Sequence, residues 1–136
     1  MSEESRNLAI LLTSGTLDKI VSACYLAASG VAMGRRVNFF LSWEPLLRLS
    51  EGSLGEAPLP ATSMLEPTAL RAAMQGQPGP DQLLADLRAT GLKIFACTAT
   101  MRMLGLSEKE LEGKVDDFSG ATAFLALAED SQVVSF

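Results

Sequence analysis

The sequence predicts an α/β protein with three layers, in which helices lie on both faces of a five-stranded, mainly parallel sheet. Short apolar runs of the kind found in strands buried on both faces alternate with segments that carry apolar residues at helical spacing. This alternation is typical of a doubly wound parallel sheet. The predicted strands are residues 8–12, 37–41, 92–96, 115–118 and 132–136.

Capping and turn residues mark where the connecting helices begin and end. The first helix is expected to begin after Thr16 as its N-cap and to end near Gly34. Ser107 and Glu110 fit a capping box, and Ser119 is expected to cap the last helix. The remaining helices are predicted over 45–49, 67–74, 81–90, 98–104 and 121–128.

The chain length of 136 residues fits a single domain that spans residues 1–136. The stretch 50–80 differs in character, because it contains most of the six prolines and several glycines. We expect an irregular or mobile insertion there, which serves as a lid, an interface element or a loop.

Composition excludes several classes of partner. The net charge of −5, with basic residues that are scattered rather than clustered, argues against binding to nucleic acid. The acidic start 1–5 does not resemble a signal peptide, and the nearly uncharged run 20–33 is too short to span a bilayer. The mean hydropathy of +0.23 is high for a small domain. We interpret the excess as surface covered by other subunits, with peripheral membrane association as the alternative.

The chain has no histidine and only two cysteines, Cys24 and Cys97. This excludes Ser-His-Asp and Cys-His catalysis, the commonest zinc sites and a thiolate metal cage within one subunit. We therefore predict no metal and no cofactor. Two cysteines do not form a disulfide framework, so the expected location is the reducing cytoplasm.

Cys97 is the strongest candidate for a catalytic residue, because it follows an apolar strand and precedes a predicted helix. The carboxyl ends of strands are where open α/β sheets bind ligands, and a helix N-terminus favours an anion such as a thiolate. Arg102, one turn into that helix, would add to the effect if its side chain folds back. An inert, buried cysteine is the alternative, and it is the interpretation we give Cys24, which lies on the apolar stripe of the first helix.

Three further loops are expected at the same edge of the sheet, at 13–16, 42–44 and 118–120. The turn with Ser14 and Gly15 is similar to the phosphate-binding loop of flavodoxin, but it lacks the Walker lysine and the G-x-G-x-x-G spacing. A structural turn that faces Cys97 is the preferred interpretation. Trp43, which follows the second strand, is a candidate for stacking on a flavin, or else a core or interface anchor.

The segment from Gly91 to Leu106, GLKIFACTATMRMLGL, resembles the DsrE/DsrF-like sulfur-relay proteins. The match consists of a strand-end cysteine followed by a methionine-rich helix that ends in Gly-Leu. Weaker matches lie at 12–19, 39–43 and 120–125, and the resemblance fades between residues 50 and 80.

The resemblance implies an α/β domain that assembles into homo-oligomers, often trimers or larger, and a cysteine that carries sulfur as a persulfide between donor and acceptor proteins. Only Cys97 matches that cysteine. The hydroxyl groups of Thr98 and Thr100 are expected to help hold the persulfide anion. Two alternatives stay open: a non-enzymatic protein that binds a flavin, a nucleotide or another small molecule, and an oligomeric scaffold in which Cys97 is vestigial.

Overall fold

A computed structural model describes residues 7–136; the acidic start 1–5 lies outside this range. Five strands form one sheet in the order β4-β3-β2-β1-β5, and every neighbouring pair is parallel. The predicted fold class is therefore confirmed. The strands are β1 (Asn7–Leu12), β2 (Val37–Leu41), β3 (Lys93–Cys97), β4 (Asp117–Ser119) and β5 (Ser131–Ser135).

The helices are α1 (Leu17–Ala32), α2 (Trp43–Glu51), α3 (Pro67–Met74), α4 (Pro80–Ala89), α5 (Thr98–Leu104) and α6 (Ala121–Leu127), with single 3-10 turns at Leu54–Glu56 and Glu108–Leu111. The helices predicted at 67–74 and 98–104 have these bounds, and the Ser107–Glu110 capping box is present. No helix in residues 7–136 combines the length and the apolar character needed to cross a membrane.

The predicted strands at 92–96 and 132–136 are displaced by one residue, and the largest difference is at β4, which begins at Asp117 rather than at residue 115. Asp116 explains the shift. Its carboxylate accepts a hydrogen bond of 2.7 Å from the backbone N–H of Ile94, while its own N–H donates to the carbonyl of Ile94. The N–H group of Ile94 in β3 therefore donates to the Asp116 side chain, where a neighbouring strand would offer a backbone carbonyl.

The strand order puts most helices on one side of the sheet. From β1 to β4 each crossover moves to the next strand in the same direction, and right-handed crossovers then lie on the same face. The last crossover returns from β4 past β1 to β5, so α6 lies on the opposite face. We call the two sides the first face, covered by α1, α2 and α4, and the second face, covered by α6.

The two faces have hydrophobic cores of different size. The first-face core is large and is centred on Ile10, Phe39 and Ile94. The second-face core is small: Phe124 and Ala128 at α6 pack on three sheet residues, Ala9, Phe40 and Phe95. The rings of Phe40 and Phe124 lie 5.0 Å apart. The second face is thus a thin layer held by a helix of seven residues.

Candidate functional site

Cys97 is the last residue of β3 and the N-cap of α5, at the carboxyl edge of the sheet. Its backbone pairs with Ser119, and its side chain packs against the second-face core. Cys97 is partly exposed, and its side chain makes no capping hydrogen bond within residues 7–136. The structure therefore places Cys97 at the boundary between a small apolar core and solvent.

Ser119 lies directly beside Cys97, because the two residues are paired in the β3–β4 ladder. Paired residues of parallel strands project from the same face, so both side chains lie on the second face. The prediction that Ser119 caps the last helix is wrong: the N-cap of α6 is Gly120, and no side chain caps it. The Ser119 hydroxyl oxygen is buried and has no hydrogen-bond partner within residues 7–136.

Thr98, the first residue of α5, lies close to Gly120, the N-cap of α6. A Cβ atom added to Gly120 would lie 3.6 Å from Oγ1 of Thr98, which is ordinary van der Waals contact. The start of α5 therefore lies close to the N-cap of α6, and Cys97, Thr98, Ser119 and Gly120 form one continuous group of residues. Within this group the sequence predicts site roles for Cys97 and Thr98, whereas for Ser119 it predicts a position at this edge and no binding role.

A hydrogen bond between Trp43 and Thr100 connects the start of α2 to α5. Thr100 is only 1% exposed, and its Oγ1 accepts a 3.1 Å hydrogen bond from the backbone N–H of Trp43. Trp43 has φ +53°, in the left-handed region that a bulky residue rarely adopts, and its side chain is 46% exposed. A binding role for either residue stays a prediction; the bond shows that Thr100 holds the Trp43 turn in place.

The turn with Ser14 and Gly15 already has partners inside the protein. The backbone N–H groups of Thr13 and Ser14 both donate to the carbonyl of Phe136, at 2.9 and 3.3 Å. A Cβ atom on Gly15 would lie 2.5 Å from a carboxylate oxygen of Glu44 and 2.9 Å from its Cβ atom, so a larger residue would require Glu44 to move. The carboxylate of Glu44 thus lies against this turn, and the N–H groups of Thr13 and Ser14 are already used by Phe136, so the turn is poorly suited to bind a phosphate.

The remaining candidates differ sharply in exposure. Arg102 lies in the last turn of α5 and is exposed, so its predicted action on Cys97 stays a prediction. Cys24 lies within α1 and is only 1% exposed, in the first-face core. Burial, together with the nearby charge of Asp81, raises the pKa of Cys24 to about 12. This thiol stays protonated and inert at neutral pH.

The proline-rich stretch 50–80 packs against the first-face core and contacts the carboxyl edge of the sheet at the start of α1. The backbone N–H of Leu17, at the start of α1, donates to the carbonyl of Pro58, and Leu59 and Leu70 pack against the first-face core. A cavity of about 520 Å³ opens between α1 and this stretch. Met64 is fully exposed. These contacts put the stretch on the side of the sheet away from the face that carries Cys97.

The fold and this edge define a doubly wound α/β protein with a partly exposed thiol at the end of a central strand. A family model described as the DsrE/DsrF/DrsH-like family matches residues 59–136, a range that includes Cys97 and Ser119. The chain belongs to this family. It is also 30% identical to the uncharacterised protein YrkE of Bacillus subtilis (strain 168), over 160 aligned residues that cover 100% of this chain and 99% of YrkE.

Two solved structures share the fold. One is a protein of unknown function from Methanobacterium thermoautotrophicum, MTH1491, with a TM-score of 0.65 and 13% sequence identity; the match covers 97% of this chain and 100% of that one. The other is the ychN protein of E. coli, with a TM-score of 0.59 and 13% identity, over 96% of this chain and 99% of that one. At this identity the similarity establishes the fold alone.

Proposed function

We propose that this protein carries sulfane sulfur as a persulfide on Cys97, within an intracellular sulfur relay. The observation that carries the proposal is the contrast between its two thiols. Cys97 is partly exposed at the carboxyl edge of the sheet, whereas Cys24 is buried with a pKa raised to about 12. Membership of the DsrE/DsrF/DrsH-like family supports the same role.

The reaction requires a thiolate and a donor persulfide. The Cys97 thiolate attacks the outer sulfur of the donor R–S–SH, a new bond forms between Sγ and that sulfur, and the S–S bond of the donor breaks. The donor leaves as the thiolate R–S⁻, and Cys97 holds the sulfur as Cys–S–SH, which loses its proton near neutral pH. An acceptor thiolate removes the outer sulfur by the same exchange in reverse, with no net oxidation.

The surroundings of Cys97 suit this chemistry. The apolar second-face core lies against the thiol on one side and limits access of water from that direction. Hydroxyl groups are carried by the next residue, Thr98 at the start of α5, and by Ser119, which is paired with Cys97 at the end of β4. Such donors stabilise an anionic sulfur without any metal or histidine.

The proposal also includes partners. Sulfur donor and acceptor proteins meet Cys97 from solvent in the cytoplasm, and the chain, as a single domain, assembles into homo-oligomers. Exposed apolar side chains on the second face support assembly: Leu125 in α6 is 68% exposed and Val133 in β5 is 51% exposed. We propose that these side chains are covered by neighbouring subunits in the homo-oligomer.

Intact-mass spectrometry after incubation with glutathione persulfide tests the proposal. We expect the wild-type protein to gain one sulfur atom, the Cys97→Ser variant to gain none, and the Cys24→Ala variant to gain as much as wild type. A wild-type protein that gains no sulfur, or a gain that persists in Cys97→Ser, would contradict the proposal. Far-ultraviolet circular dichroism of each variant shows that the fold is retained.

A further inference from the structure

We propose that Ser119 is a positioning residue that donates a hydrogen bond to the outer sulfur of the Cys97 persulfide; this inference rests on the proposed function. Ser119 and Cys97 are paired neighbours on adjacent strands, and both project from the second face. The side chain of Ser119 is therefore the nearest hydroxyl that the β3–β4 ladder supplies to Cys97.

The hydroxyl of Ser119 has no hydrogen-bond partner in the described part of the chain. Its oxygen is buried, it bonds no residue within 7–136, and it does not cap α6. Buried polar groups in native proteins almost always have a hydrogen-bond partner, so a buried hydroxyl without one needs an explanation. A ligand atom that is present only during function is one such partner.

The added sulfur supplies that atom. In the thiol form the Ser119 hydroxyl makes no hydrogen bond to Sγ of Cys97. Persulfide formation places a second sulfur about 2 Å beyond Sγ, at the length of an S–S bond. This sulfur carries the negative charge, and a hydroxyl that donates to an anion forms a stronger bond than one that donates to a neutral group. Ser119 thus favours the persulfide over the thiolate.

The consequence is a shift in the exchange equilibrium, in which Cys97 thiolate and glutathione persulfide give Cys97 persulfide and glutathione. Loss of one charge-assisted hydrogen bond lowers this equilibrium constant by about tenfold. Alkylation of the unmodified Cys97 thiol is expected to change by less than about twofold, because the bond is absent from that form.

The experiment compares variants at a fixed ratio of glutathione persulfide to glutathione, with the loaded fraction read by intact-mass spectrometry. We expect the ratio of loaded to unloaded protein in Ser119→Ala to be about tenfold lower than in wild type. Ser119→Thr and Ser119→Val have the same shape and differ only in the hydroxyl, so Thr is expected to exceed Val by a similar factor. This pair tests the hydroxyl even if Ser119→Ala fails to fold. Ser53→Ala is the matched control, because Ser53 also has a buried, unpartnered hydroxyl but lies beyond the far end of α2.

The outcomes separate the two proposals. If the wild-type protein loads and neither Ser119→Ala nor Ser119→Val loads less, the role of Ser119 is overturned while the persulfide function stands. An equal loss in Ser119→Thr and Ser119→Val would show that shape alone matters, which also overturns it. A wild-type protein that never loads overturns both.

Discussion

The two cysteines of this chain lie on opposite faces of the same sheet, and the thickness of each face explains their different properties. Cys24 belongs to α1 in the first-face core, where helices and sheet bury it to 1% exposure. Cys97 lies at the margin of the second-face core, which has one short helix above it. The thiol group of Cys24 is thus protonated and inert, whereas that of Cys97 is accessible. The environment decides its reactivity, not the residue type.

The largest expected difference between the two thiols is their rate of alkylation. In the native protein at pH 8, about one Cys24 thiol in ten thousand is ionised at a pKa of about 12, and burial blocks the reagent as well. We expect iodoacetamide to modify Cys97 at least about a thousandfold faster than Cys24, as measured by peptide mass mapping over time. In urea-unfolded protein the two rates become similar. Comparable rates in the native state would remove the contrast on which the proposed function rests.

The second effect is on stability at alkaline pH. Folding raises the pKa of Cys24 from its ordinary value of 9.0 to about 12, so between these values the folded state keeps a proton that the unfolded state has lost. The free energy of unfolding therefore falls as pH rises through this window, by about 1.4 kcal/mol per pH unit.

Cys24→Ala tests this slope, since alanine cannot ionise. At pH 7 the variant is expected to be less stable than wild type by about 1 kcal/mol, because it loses packing in the first-face core. Urea unfolding at pH 7, 9.5 and 10.5 is expected to show that this difference shrinks and then reverses. A difference that stays constant with pH would mean that Cys24 does not titrate with folding.

A smaller effect concerns the strand beside Cys97. Asp116 accepts hydrogen bonds from Arg88, at 3.0 and 3.2 Å, and from the backbone N–H of Ile94. Burial opposes ionisation of this carboxyl, but these bonds and the charge of Arg88 outweigh it and lower the pKa of Asp116. Its stabilising effect is therefore present near neutral pH and is lost as pH falls through the lowered pKa.

We expect Asp116→Ala to lower the free energy of unfolding by about 2 kcal/mol at pH 7, measured by urea unfolding. Because Asp116 fixes the start of β4, the variant is also expected to speed alkylation of Cys97 several-fold and to leave Cys24 unchanged. Asp86→Ala is the control, since within residues 7–136 the side chain of Asp86 bonds only an exposed glutamine, Gln82, and its removal should cost less than about 0.5 kcal/mol. Equal losses in the two variants would contradict the assignment.

Local patterns in the sequence determined where most elements lie. The helix at 67–74, the strand at 37–41 and the capping box at Ser107 follow from preferences that act over a few residues, and each is present in the structure. The position of Cys97 at the end of a strand has the same local origin. The predicted start of β4 is wrong because the side chain of Asp116, rather than a backbone carbonyl, accepts the hydrogen bond from Ile94. The two residues are 22 positions apart in the sequence, so no local pattern reveals this contact.

Only the tertiary structure decided how these elements combine around Cys97. The return of the chain from β4 to β5, beside β1, sends α6 to the second face and leaves that face thin. The pairing of Cys97 with Ser119 and the fit of Glu44 against Gly15 join segments that are more than twenty residues apart. Such contacts arise from packing and strand register among all elements at once. The sequence alone therefore determined which thiol stands at the edge of the sheet, and the folded structure decided which groups surround it.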